Sequence, residues 1–215
     1  MIDFTLIWSS LPLLLKGASL SLLIALIASS IGFSLGSIFG LAETSKSRLI
    51  RALVGTYVTL FRGTPMLVQI LFVYYVLPQF GLMIPPVWAA SLAIGLNSAA
   101  YISQVIRSGI AAVPRAQIEA SQSLGFTPLK TFWNIVFPQA LRISLPALGN
   151  ELVTLVKDSS LASIIGVLEL TKEASIIRSR TYDAFSILLA VALIYLILTG
   201  VLSFLLKRLE KRRFG

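Results

Sequence analysis

The chain has 215 residues, 56% of them hydrophobic and 13% charged, with a mean hydropathy of +0.89. A charged share about half the usual value, at that hydropathy, places it in the membrane class rather than among soluble domains. The formal net charge of +9 does not mark a nucleic-acid binder, because the cations sit in loops between apolar spans, and the lack of cysteine and histidine excludes disulfides, thiolate chemistry, heme or zinc held by those residues and His-based acid–base work.

Residues 1–16 carry only Asp3 and Lys16, with no small-residue cleavage site after a short apolar core, so no signal peptide is expected there. They are read as a short extracytoplasmic N-terminus. Residues 17–42 run without a charge and form the first expected span, since ~20 apolar residues in a helix cross a ~30 Å hydrocarbon core. Gly32, Gly36 and Gly40 give it a smooth face for close helix packing. A second span is expected over 52–78, interrupted by Arg62, and a third over 86–106, with Pro78, Gly81, Pro85 and Pro86 marking the turn between them. A fourth, over 147–168, contains Glu151, Lys157 and Asp158, and a fifth covers 184–206.

Loop charges then set the direction. The 43–51 loop holds Lys46, Arg48 and Arg51 against Glu43, and the 107–142 loop holds Arg107, Arg115, Lys130 and Arg142 against Glu119. The tail holds Lys207, Arg208, Lys211, Arg212 and Arg213 against Glu210, whereas the 78–86 turn is uncharged and the 169–183 loop is balanced. The positive-inside rule puts the first three in the cytoplasm. Five spans alternate in agreement with it, N-terminus out and C-terminus in.

Ionisable groups inside a span cost roughly 2.5–3.5 kcal/mol each on insertion scales and persist where they face a partner or a cavity. Arg62, Asn97 and the Lys157–Asp158 pair all fall near the middle of their spans. Glu151 precedes Asp158 by two helical turns, so both carboxylates project from one face ~10 Å apart. Gly63 and Pro65 weaken the helix beside Arg62, and broken helices at mid-depth recur at transporter sites. Arg62 would attract a carboxylate, Asp158 or Glu151 an ammonium or guanidinium. Two other readings stay open on composition: mutual neutralisation of Arg62, Lys157 and Asp158 in the bundle, and a proton relay.

Between the third and fourth spans lies a polar excursion. Helix formers from Arg115 to Leu124 follow Pro114, Gly125 supplies a stop, and a second helix starts at Thr127 and Pro128 and ends at Pro138. The resulting helix–turn–helix lies on the cytoplasmic face, either as an interfacial anchor or as a docking knob for a cytoplasmic partner.

The spacing Glu119-Ala120-Ser121, three residues, Gly125, nine residues, then Ile135-x-Phe137-Pro138 resembles the EAA loop of ABC importer permeases. It departs from that pattern in Ser121 for Ala and Phe137 for Leu. The segments Phe61-Arg-Gly-Thr-Pro65 to Gln69, Asn97 to Tyr101, Leu145 to Glu151 and Lys157 to Leu161 are similar to motifs of the polar amino-acid branch, the histidine/glutamine/arginine-type permeases of bacterial ABC uptake systems. The resemblance covers nearly the whole chain in order.

It implies an all-α membrane protein with the five-helix type I importer fold over 17–207, the cytoplasmic coupling loop at 107–142, a basic tail at 208–215, and a place in the bacterial cytoplasmic membrane. It also implies two ATP-binding cassette ATPase subunits, a second permease subunit, same or different, and an extracytoplasmic amino-acid-binding protein. Glu119, Ala120, Ser121 and Gly125 would seat the loop on an ATPase, and Asn97, Glu151 and Asp158 would touch ligand, with Arg62 added from its depth. No metal or cofactor is expected in this chain; ATP and magnesium would bind the ATPases, since no Gly-x-x-x-x-Gly-Lys-Ser/Thr loop occurs here. The expected role is uptake of a polar, basic L-amino acid such as arginine by alternating access. The alternatives are a glutamine or broad polar permease, a passive channel or facilitator, and a membrane enzyme, which would have only Glu151 and Asp158 to work with.

Overall fold

The computed structural model describes residues 2–214, with side chains to Leu209. The expected basic tail therefore lies mostly outside the described side chains. Among the described residues the chain is helical: α1 (Phe4–Ala42), α2 (Arg48–Gly63), α3 (Met66–Leu71), α4 (Pro86–Ala111), α5 (Arg115–Ser123), α6 (Pro128–Thr131), α7 (Phe137–Asp158), α8 (Leu170–Thr181) and α9 (Ala184–Phe214). Three helices, α1, α4 and α9, are long and apolar enough to cross a membrane, and α2 with Met66–Phe80 makes a fourth if that pair, bent by 104°, counts as one span.

α1 starts well before the charge-free run that marks it in the sequence. The Asp3 carboxylate accepts from Leu6 N at 2.9 Å and caps the helix, and Lys16 points outward and does not interrupt it. Its 39 residues make a rod of roughly 58 Å, nearly twice the hydrocarbon thickness. Its buried face contains Gly32, Gly36 and Gly40 and packs along α4. A β-carbon on Gly36 would lie 2.7 Å from Ile102 Cβ, and one on Gly40 2.8 Å from Ile106 Cβ, so side chains of α4 sit directly on the bare backbone of α1. Matching residues rise together along both helices, which makes the pair parallel. α7 runs the other way, with Ser98 opposite Glu151 and Val105 opposite Ser144.

The second span breaks at Thr64 and Pro65, both in extended conformation. Proline disfavours a helical residue before it and cannot donate to the turn behind, so Gly63 is the last helical residue of α2. Two later prolines are handled differently. Pro78 and Pro138 each follow one wide π-turn, Phe72–Val76 and Phe132–Val136. The wider turn relieves the clash of a proline ring with the carbonyl four residues back and absorbs the missing N–H. The second helix of the 107–142 loop therefore does not end at Pro138, as expected from sequence, but runs on into α7.

The span expected over 147–168 is not one helix. α7 ends at Asp158, a 3₁₀ segment covers Ser159–Ile165, and Gly166 closes it at φ 83°. Ser159 Oγ donates to Val156 O at 2.7 Å across this change from α to 3₁₀. α8 then begins on Glu169, whose buried carboxylate accepts from the N–H groups of Thr171 and Lys172, from Ser21 Oγ of α1 and from Tyr195 Oη of α9. One capping residue thus ties three helices together.

Candidate functional site

The break in the second span sets the site. Ending α2 at Gly63 frees the carbonyls of Phe61 and Thr64, which inside a membrane need partners. Gln69 Nε2 donates to Phe61 O (2.9 Å), Thr64 O (3.1 Å) and Thr64 Oγ1 (2.7 Å). From α4, Asn97 Nδ2 donates to Phe61 O at 3.1 Å and to Gln69 Oε1 at 3.0 Å. This clasp satisfies the carbonyls exposed by the bend.

A cavity of about 660 Å³ lies against the bend, a volume within the range of small-molecule pockets. Arg62, Gly63, Thr64 and Pro65 line one side, Asn97 and Tyr101 of α4 a second, and Glu151, Thr154 and Asp158 of α7 a third. The four residues singled out in the sequence, Arg62, Asn97, Glu151 and Asp158, thus meet around one space. Both Asn97 amide protons are spent on the clasp, so Oδ1 is its remaining polar atom. Glu151 Oε1 accepts from Ser98 Oγ at 2.8 Å, which fixes the carboxylate while leaving it lone pairs. The Arg62 guanidinium stands 5.2 Å from the centre of the Tyr101 ring.

Among the described residues, neither Arg62 nor Lys157 forms an ion pair with Glu151 or Asp158, whereas Glu43 pairs with Arg107 at 3.3 Å. Lys157 is exposed and does not line the cavity. With its groups ionised, the cavity carries one cation and two anions.

The polar loop folds as the expected helix–turn–helix. α5 ends at Ser123, and Gly125 takes φ 83°. Phe126 N donates to Ser121 O (3.1 Å) and Gly125 N to Gln122 O (2.9 Å), a Schellman ending that favours glycine at its left-handed residue. Glu119 and Ala120 are exposed, whereas Ser121 is buried and its hydroxyl bonds Thr131 Oγ1 at 2.9 Å, stapling α5 to α6. The departure Ser121-for-Ala thus has a local partner. Leu124 and Leu129, on either side of the turn, stand 79% and 68% exposed.

Residues 32–215 match the family described as "Binding-protein-dependent transport system inner membrane component". The chain belongs to this family. The permease is 38% identical over 212 residues to the glutamine transport system permease protein GlnP of Escherichia coli (strain K12), covering 98% of this chain and 97% of that one. It is 36% identical over the same length to the arginine transport system permease protein ArtQ of Bacillus subtilis (strain 168), with the same coverage. Among solved structures, an amino acid ABC transporter crystallised with histidines aligns at TM-score 0.92 with 38% identity over 99% of both chains. The MetNI methionine ABC transporter aligns at 0.77 with 22% identity, a likeness of fold. The chain is therefore a multi-pass inner-membrane permease of an amino-acid ABC importer with the type I fold.

Sequence reasoning missed Gln69, Tyr101, Thr154 and Ser98. Gln69 was detectable in principle: a buried amide five residues past a helix-breaking Thr-Pro is a natural partner for the carbonyls freed there. Tyr101 and Thr154 follow Asn97 and Glu151 by one helical turn, so helical spacing alone places them on the same faces.

Proposed function

We propose that this permease moves a polar L-amino acid with a cationic side chain, arginine-like, into the cell by alternating access. The observation that carries this is the charge arrangement of the cavity, Arg62 on one wall and Glu151 with Asp158 on another. Arg62 would take the α-carboxylate in charge-assisted hydrogen bonds, one carboxylate of α7 the α-ammonium, and the other the side-chain cation. A neutral zwitterion such as glutamine leaves one of the two carboxylates unpaired, which is why it stands second. The similarity to GlnP and to ArtQ is nearly equal and does not separate the two readings.

In this reading five spans cross the membrane with the N-terminus outside, the bent α2–α3 pair and α7 with its 3₁₀ segment completing α1, α4 and α9. Arg62 and Thr64 are exposed in the single chain, and charge at mid-membrane needs cover, so a second permease subunit, identical or related, faces this wall. Two ATPase subunits, binding ATP and magnesium, dock on the loop around Glu119, Ala120, Ser121 and Gly125, and an extracytoplasmic binding protein delivers ligand. The chain itself hydrolyses nothing. A passive facilitator would have no use for an apolar cytoplasmic knob.

Uptake of labelled arginine and glutamine by vesicles holding the assembled transporter tests the assignment. Glu151→Gln should lower arginine uptake by at least about tenfold, the cost of one lost charge-assisted contact, and spare glutamine. An unchanged arginine-to-glutamine ratio would remove Glu151 from side-chain recognition.

A further inference from the structure

The cavity at the bend has a neighbour. A second cavity of about 470 Å³ lies between α4 and α7 toward α5, lined by Gln104, Val105, Ser108, Ser144 and Ala147. Arg62 and Tyr101 line both cavities and are the residues the two have in common. The stacked guanidinium and ring are their shared wall.

The helix faces make the two spaces one track. On α4, Asn97, Tyr101, Gln104 and Ser108 recur at spacings of four, three and four, the stripe of one helical face. On α7, Ser144, Ala147, Glu151, Thr154 and Asp158 form the facing stripe. The half holding Glu151 and Asp158 is acidic. The half nearer the loop has no carboxylate on its wall, and the Gln104 amide nitrogen is already held by Glu43 at 2.9 and 3.0 Å.

We propose that the Arg62–Tyr101 pair is a movable partition and that the second cavity is a release vestibule for the amino acid bound in the first. The proposal rests on the topology and substrate class argued above. Without ligand, Arg62 finds its best available partner in the Tyr101 ring. A ligand carboxylate offers a charge-assisted bond that outcompetes the ring, so Arg62 turns toward the ligand and the wall opens. Beyond it the ligand meets neutral groups that bind it weakly and let it go.

The chain has no cysteine, so one introduced thiol is unique in it. In inside-out vesicles holding the assembled transporter without amino acid, a charged, membrane-impermeant maleimide is applied, and labelling of the permease is followed by mass spectrometry. Ser108→Cys should react readily from the cytoplasmic face and Thr154→Cys slowly. Adding Tyr101→Leu to Thr154→Cys should speed its reaction roughly three- to tenfold, the population change that loss of a cation–π contact permits. Adding Tyr101→Phe, which keeps the ring face, should not. Arg62→Gln should match Tyr101→Leu and carries the test if that variant fails to assemble with its ATPase. The proposal is overturned if Ser108→Cys does not react from that face, if neither Tyr101→Leu nor Arg62→Gln speeds Thr154→Cys, or if Tyr101→Phe speeds it equally. Labelling needs neither transport nor ligand, so a wrong substrate assignment would leave these results unchanged and show only in uptake.

Discussion

Gln69→Leu removes the clasp at the break of the second span while keeping the side-chain bulk close to constant. The wild-type amide nitrogen serves Phe61 O, Thr64 O and Thr64 Oγ1, and its oxygen accepts from Asn97. Two protons shared among three acceptors, plus the bond from Asn97, amount to roughly three net hydrogen bonds. At about 0.6 kcal/mol each, the mean inside membranes, the loss is about 2 kcal/mol; at about 1 kcal/mol each it is about 3 kcal/mol. For a chain of this size that lowers Tm by roughly 4–12 °C. Thermal scans of the detergent-purified transporter, run at one fixed rate because membrane proteins of this kind unfold irreversibly, measure it. Asn97→Leu in the same background should cost less than it does alone, since the two residues share a bond and the Phe61 carbonyl. A fall below about 1 °C, or strict additivity of the pair, would refute the clasp as the support of the bend.

Three further substitutions probe separate links. Gly36→Val drives a branched side chain into Ile102 and should cost at least about 1–3 kcal/mol of overpacking, seen as loss of permease from the membrane fraction; normal accumulation would mean that α1 and α4 are not in backbone contact. Gly125→Val, at φ 83°, should strain the end of α5 by about 1–2 kcal/mol and more for its β-branch, so that co-purifying ATPase falls severalfold while binding of ligand by the permease persists. Glu169→Gln turns an amide N–H₂ toward donors that the carboxylate now accepts, and should lower Tm by several degrees; a neutral result would mean that the α1–α8–α9 junction is held by packing alone.

Much of the site was legible in the sequence because charge at mid-membrane is costly enough to be informative. Arg62, Asn97, Glu151 and Asp158 stood out by depth, and they line one cavity. Gly125 stood out as a helix stop and takes the left-handed conformation. Helix ends were less legible. Lys16 marks an edge by its charge, but a surface lysine costs a helix almost nothing, so α1 runs on to its cap at Asp3. Pro138 reads as a stop, but one π-turn carries the chain through it. The end of α7 at Asp158 has no proline or glycine beside it to mark the change to a 3₁₀ segment. Gln69 and Tyr101 escaped notice because neutral polar and aromatic residues carry no penalty that draws the eye; their roles depend on which carbonyl or cation lies opposite.

The glycine seam between α1 and α4 limits how the site can change shape. Gly32 receives Ser98, Gly36 receives Ile102 and Gly40 receives Ile106, each side chain seated over a bare backbone. Sliding one helix by part of a turn would drive those side chains onto neighbouring residues that do have a β-carbon, and the next matching register is four residues away, about 6 Å. Between those registers the seam works as a keyed joint. α4 therefore moves with α1 as one body, carrying Asn97 and Tyr101 on a fixed wall, and the freedom to reshape the cavity falls to the hinge at Thr64 and Pro65 and to α7.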